Sequence, residues 1–121
     1  MMVLSEPALM RAGAGRYRLV SAMRAADLGR VWTVPSGFTT DGASIPPLCW
    51  LVVGHPYSPS SIRAALLHDW MCRAPRTHGL SSRAVHRLFY DALRADGCAW
   101  LRSTLMWLAV HVFGPRFRAG A

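Results

Sequence analysis

The sequence predicts an α+β domain, a small N-terminal β-hairpin or sheet packed on three C-terminal helices. Two observations carry this expectation. Short runs of β-branched and aromatic residues lie before residue 35, and beyond residue 60 the apolar residues recur at helical spacing, opened by serines and closed by glycines.

Residues 1–15 are small, Gly- and Ala-rich and weakly patterned, which suggests a loose arm or an edge element. Tyr17-Arg18-Leu19-Val20 and Val31-Trp32-Thr33-Val34 read as strands, and the turn-capable Asp27-Leu28-Gly29 between them suggests a hairpin or small sheet. Pro35-Ser36-Gly37 ends the second strand and leads into the polar loop Phe38-Thr39-Thr40-Asp41-Gly42-Ala43-Ser44, after which Pro46-Pro47 blocks regular structure. Gly54-His55-Pro56 opens a further connector.

Ser60 or Ser61 can cap a first helix running to about Arg73. Its apolar residues lie all round rather than along one stripe, so it is expected to be buried and central. A second helix starts near Ser81 or Ser82, carries Val85, Leu88, Phe89, Ala92 and Leu93 on one face, and stops at Gly97. A third runs from about Ala99 to Phe113 and is closed by Gly114-Pro115. At 121 residues the chain suits one domain with one modest core, expected over residues 16–117 with a short tail at 118–121.

Composition narrows the function classes. Apolar residues make up 52% and charged residues 17%, which is globular rather than disordered. The strongly apolar run from Leu105 to Phe113 is too short to span a bilayer and is interrupted by His111. The N-terminus lacks the pattern of a secretory signal, so the protein is expected in the cytoplasm of the cell that makes it. Cys49, Cys72 and Cys98 are odd in number and widely spaced, fitting reduced thiols rather than a disulfide framework or a paired-cysteine zinc knuckle. The net charge of +8 favours an anionic partner such as nucleic acid or an envelope polymer. All fourteen basic residues are arginine, however, and they are scattered without a dense run or a nucleic-acid module, so nucleic-acid binding is not expected.

Chemistry concentrates at two polar islands, the Thr40-Asp41-Ser44 loop and His68-Asp69 inside the apolar first helix. Adjacent helical residues point about 100° apart, so His68 and Asp69 must serve different groups. His68 shares a line with Ala65 and Cys72, and Asp69 with Ile62 and Leu66. One reading makes His68 a metal ligand or general base and Asp69 its orienting partner. The other makes Asp69 a hydrogen-bonded tie between helix and loop, with His68 a satisfied core histidine. His86, at the edge of the second helix's apolar stripe, can reach the cleft between two antiparallel helices, where His68, His86 and Asp41 would suit zinc or a similar divalent ion. Ser44 invites a nucleophile reading with His68 as base, but no nucleophile-elbow motif surrounds it. Cys72, one turn after His68, is either a further ligand or a small buried hydrophobe. His55 and His78 lie in connectors and are expected to be solvated.

Val34-Pro35-Ser36-Gly37-Phe38-Thr39-Thr40-Asp41-Gly42-Ala43-Ser44-Ile45-Pro46, Ala64 through Met71, Arg83 through Leu93 and Ala109 through Gly114 together resemble the domain-of-unknown-function family numbered 1353, over about residues 16–117. That resemblance implies a small protein encoded by a tailed bacteriophage or prophage. Where the family usually shows His-Asp-x-Leu-Tyr, this chain has His68-Asp69-Trp70-Met71-Cys72, and where the family usually has an aspartate on the second helix it has His86. Exchange of aspartate for histidine keeps one shared role, metal ligation. The leading expectation is therefore a phage-encoded, metal-dependent hydrolase-like domain acting on peptidoglycan, with His68 as ligand or base, Asp41 and His86 as further ligands and Asp69 as orienting partner. Its rival is a non-catalytic virion or assembly component of tail or baseplate that contacts other phage proteins. A third reading is an accessory protein inside the infected cell.

Overall fold

The computed structural model describes residues 2–13, 16–27, 29–40 and 61–120. Among them the chain forms six strands followed by three α-helices. The strands are β1 (Val3–Leu4), β2 (Leu9–Arg11), β3 (Tyr17–Leu19), β4 (Met23–Asp27), β5 (Arg30–Val34) and β6 (Thr39–Thr40). The helices are α1 (Ile62–Arg73), α2 (Ser82–Ala95) and α3 (Trp100–Phe113), with a 3₁₀ turn at Pro75–Thr77. This is the α+β arrangement that the patterning predicts.

The strands make two antiparallel three-stranded sheets, in the orders β1-β4-β5 and β2-β3-β6. The expected hairpin between Tyr17–Val20 and Val31–Val34 is corrected here, because those strands belong to different sheets. The partner of β5 is β4, paired from Met23↔Val34 to Asp27↔Arg30. Gly29 closes this hairpin at φ 81°, a left-handed conformation that glycine adopts without steric cost. β4 alternates correctly, with Met23 and Ala25 buried and Arg24 exposed, but its alanines lack the β-branched signature of a strand.

The N-terminal segment supplies an edge strand to each sheet rather than a loose arm. Val3 and Leu4 pair with Ala26 and Ala25, and Leu9 to Arg11 pair with Leu19 to Tyr17. Arg63 of α1 fastens this segment by donating to the Leu4 carbonyl at 2.9 Å and pairing with Glu6 at 3.0 Å. Its guanidinium also pairs with buried Asp96 just beyond α2, so one arginine ties strand β1, helix α1 and the end of α2 together.

α1 is buried over most of its length, from Ala64 to Cys72 except for half-buried Trp70. The burial expected of this first helix is therefore found. Among the described residues α2 packs against α1, α3 and β1, and its amphipathic stripe explains how it joins them. Val85, Phe89, Ala92 and Leu93 fill the core with Leu66, Leu67 and Met71 of α1, Met106 and Val110 of α3, and Met23, Trp32 and Val34 of the first sheet. Ser81 caps α2, its Oγ accepting from the Ala84 N–H at 3.2 Å. Gly97, at φ 83°, ends the helix while the Cys98 N–H returns to the Leu93 carbonyl at 3.0 Å.

Candidate metal centre

Packing of α1 on α2 brings His68 and His86 together in the core, each only 2% exposed. His68 Nε2 lies 2.8 Å from His86 Nδ1, and Cys72 Sγ lies 3.5 Å from His68 Nε2. The 1,5 spacing of His68 and Cys72 puts both on one helical face, and Phe89 of α2 covers the His68 ring with centroids 4.7 Å apart. One donor atom from each of His68, Cys72 and His86 lies within 4.8 Å of the other two.

The backbone fixes the proton positions. His86 Nε2 lies 3.2 Å from the Pro115 carbonyl, which can only accept, so Nε2 carries the proton and Nδ1 presents a lone pair to His68. His68 Nε2–H then donates to it. A carbonyl that holds the outer nitrogen of an imidazole while the inner one faces a site is the usual orienting arrangement around a metal-ligating histidine. Gly114 makes this contact possible. A Cβ there would stand 2.3 Å from the Val110 carbonyl oxygen and 3.3 Å from His86 Cε1, so a side chain at 114 would disturb the turn that delivers the Pro115 carbonyl.

Electrostatics keep the cluster neutral. Burial, with a smaller contribution from His86, lowers the His68 pKa to about 3, and burial chiefly lowers that of His86 as well. Burial, reinforced by Asp69, raises the Cys72 thiol to about 12. A histidine so reluctant to accept a proton is a poor general base, while a buried neutral ring hydrogen-bonded to His86 is compatible with both the ligand and the satisfied core histidine.

The donor set can be tested against zinc. Tetrahedral zinc, with bonds of about 2.05 Å to nitrogen and about 2.3 Å to sulfur, separates two nitrogens by roughly 3.3 Å and a nitrogen from a sulfur by roughly 3.6 Å. The His68–Cys72 separation already matches. The two imidazoles need to part by about half an ångström, losing the proton that they share, and the His86 and Cys72 donors, within 4.8 Å of each other, need to reach the same nitrogen–sulfur separation.

Asp69 serves a separate environment. Its carboxylate accepts from the hydroxyl of buried Thr40 at the end of β6 and pairs with Arg73 at 3.2 Å. The Arg73 guanidinium also donates to the Thr39 carbonyl at 3.3 Å. Thus Asp69 ties α1 to β6, while His68 turns towards α2. Asp41, Ser44, Cys49 and His55 lie outside the described residues.

Three other features of the site escape sequence reading. His78 is not simply solvated, since Nε2 donates to the Met71 carbonyl at 2.8 Å and Nδ1 accepts from the Leu80 N–H at 2.9 Å, stitching the α1–α2 connection. His111 lies edge-on to His86 with centroids 6.4 Å apart and stacks on Trp107. The Pro115 carbonyl is a backbone group with no sequence signature beyond the helix-ending Gly114-Pro115.

A family described as "Protein of unknown function (DUF1353)" matches residues 17–110. The uncharacterized protein y4iH of Sinorhizobium fredii (strain NBRC 101917 / NGR234) is 42% identical over 86 residues, covering 71% of this chain and 35% of that protein. The uncharacterized protein y4jT of the same organism is 36% identical over 87 residues, covering 72% of this chain and 25% of its own length. The chain therefore spans about a third or less of these relatives. No solved structure matches it. Among the described residues no helix is long and apolar enough to cross a membrane.

Proposed function

The chain belongs to the DUF1353 family, and we propose that it is a zinc-binding, hydrolase-like domain whose ligands, from the chemistry of its own residues, are His68, Cys72 and His86, with the phage or prophage origin that the family resemblance implies. The observation that carries this reading is the convergence of two imidazoles and a thiol within 4.8 Å, one imidazole being oriented from outside by a backbone carbonyl. Imidazole and thiolate together suit zinc better than magnesium or calcium, which take oxygen ligands.

Three protein ligands leave a fourth position for water or substrate, the pattern of catalytic rather than structural zinc sites. An ion there would supply Lewis acidity for attack of water on an amide or ester. The chain's own residues would hold and orient it: Pro115 sets the His86 tautomer, Phe89 and the α1–α2 interface exclude bulk water, and Asp69 fixes α1 against β6. Peptidoglycan is the proposed substrate class, and the net charge of +8 favours approach to an anionic wall polymer.

The burial of His68 and Cys72, at 2% and 9% exposure, favours a second reading. A closed site of this kind suits a non-catalytic particle component in which the same residues hold the helices together.

Elemental analysis of untagged, chelator-free protein tests the centre first. One zinc per chain, lost in His68→Ala, Cys72→Ser and His86→Ala, is the expected result, and zinc-free parent protein would sink the proposal. Release of muropeptides from purified sacculi by the zinc-loaded protein, but not by His86→Ala, supports the hydrolase. Zinc without such release, together with copurification with particles, supports the structural component.

A further inference from the structure

Beside His86 a cavity of about 360 Å³ opens between the start of α2, the end of α3 and the segment that follows it. Arg83 and His86 of α2, His111 of α3, and Arg116, Phe117 and Arg118 beyond it line the cavity. We propose that this cavity is a binding site for a small phosphomonoester, held by Arg83, Arg116 and Arg118. The proposal stands independently of the metal centre.

Three observations carry it. First, the charge is uncompensated. Among the described residues no carboxylate lines the cavity and no ion pair engages Arg83, Arg116 or Arg118, the ion-paired carboxylates there serving Arg63, Arg73 and Arg87. A second arginine-rich hollow among the described residues, lined by Arg16, Arg18 and Arg73, differs in this respect because Arg73 is already paired with Asp69.

Second, the segment after α3 is held in place rather than trailing. The Pro115 carbonyl accepts from His86. The Ser82 N–H donates to the Phe117 carbonyl at 3.0 Å, and the Phe117 N–H returns to Ser82 Oγ at 3.1 Å. The Gly120 N–H then reaches the Gly79 carbonyl at 2.9 Å. These contacts step backwards from α2 into the turn before it as the C-terminal segment advances, holding Arg116 and Arg118 on either side of an anchored Phe117 in the cavity that Arg83 also lines. A ligand therefore meets guanidiniums whose backbone is already ordered, which lowers the entropy lost on binding.

Third, size and charge select the ligand. The volume lies at the lower end of small-molecule sites. Guanidinium forks match the several oxygens of a phosphate, and three of them suit the dianion of a monoester better than the single charge of a diester or carboxylate. The first-turn position of Arg83 adds the favourable end of the α2 dipole.

Amide chemical shifts of the full chain, titrated at pH 7.5 and constant ionic strength with glycerol 3-phosphate, inorganic phosphate, a phosphodiester and acetate, test the site. Saturable shifts confined to Ser82, Arg83, His86, His111 and Phe117 are expected with the two phosphate dianions. Arg83→Gln combined with Arg116→Gln should weaken them about tenfold or more, as should Arg118→Gln alone in smaller measure. Arg16→Gln with Arg18→Gln, in the other hollow, should leave them unchanged. These arginines lie at the surface, so the rest of each variant's spectrum should match the parent and certify the fold. Equal response to acetate or to the diester, equal loss in the Arg16/Arg18 variant, or unchanged binding in the Arg83/Arg116 variant would each overturn the assignment.

Discussion

On one face of α1, His68 packs on Phe89, shares a proton with His86 and is held neutral. A short way around the same helix, Asp69 accepts from Thr40 and pairs with Arg73. Both side chains are buried, at 2% and 4% exposure, and both belong to one dipeptide, yet their surroundings favour opposite ionisation. Among the described residues the histidine face offers neutral partners, His86, Cys72 and Phe89, so burial decides and the uncharged form wins. The aspartate face offers a hydroxyl and a guanidinium, so the charge is matched. A neutral lone-pair cluster is a place where a metal can replace a proton, whereas a matched carboxylate is a structural tie. The two faces should therefore fail in different ways.

The largest expected effect is on the histidine face and is driven by pH. In metal-free protein His68 titrates near 3 when folded, against an ordinary 6.5. Between those values the unfolded chain takes the proton first, so stability is complete above pH 6.5 and declines as the pH falls towards 3. The slope should be about 1.4 kcal/mol per pH unit from His68 alone, with His86 adding to it in the same direction. Urea melts of parent and His68→Gln from pH 7 to 4.5 check this, and equal slopes in the two proteins would break the distinction between the faces. Zinc loading should oppose the acid loss until the ligands are protonated.

Next in size is the aspartate face. Asp69→Ala removes the acceptor of a buried hydroxyl and the partner of Arg73, and should cost about 3 kcal/mol at pH 7. It should leave zinc stoichiometry unchanged in the protein that remains folded. A matching loss of zinc would mean that the two faces act as one unit, which parallel melts and metal analysis would reveal.

How much of this is legible in the sequence follows from where each signal resides. Both caps of α2 can be read because Ser81 and Gly97 are required by local geometry, and its inner face because Val85, Phe89, Ala92 and Leu93 repeat at the helical period. The meeting of His68 with His86 can be anticipated because each lies on a helix whose neighbour must be close. Strand β4 is not legible, since Met23-Arg24-Ala25-Ala26-Asp27 carries its β character only in alternation. The N-terminal strands are legible only as the edge-element alternative to a loose arm, for a similar reason. Val3 and Leu4 are ordered by a distant arginine, Arg63, that no local pattern connects to them. Cys72 stands on the correct line with His68, but its role depends on how far away α2 packs. The Pro115 carbonyl is invisible because every residue has one.

That last contact provides the finest test of the comparison, because it perturbs the histidine face without altering any proposed ligand. Gly114→Ala places a methyl group 2.3 Å from the Val110 carbonyl oxygen, itself part of the α3 ladder, and 3.3 Å from the His86 ring. Something must move, and the backbone is the stiffer party, so the turn carrying Pro115 should shift and cost about 2 kcal/mol. If the Pro115 carbonyl is what fixes the His86 tautomer, zinc affinity should fall by about tenfold or more in this variant although His68, Cys72 and His86 are all present. The His86 imidazole nitrogen resonances, read with and without zinc, separate the two possible outcomes. A lost preference for Nε2–H identifies Gly114 as a positioning residue of the centre, whereas an unchanged tautomer with reduced stability confines its role to the helix end.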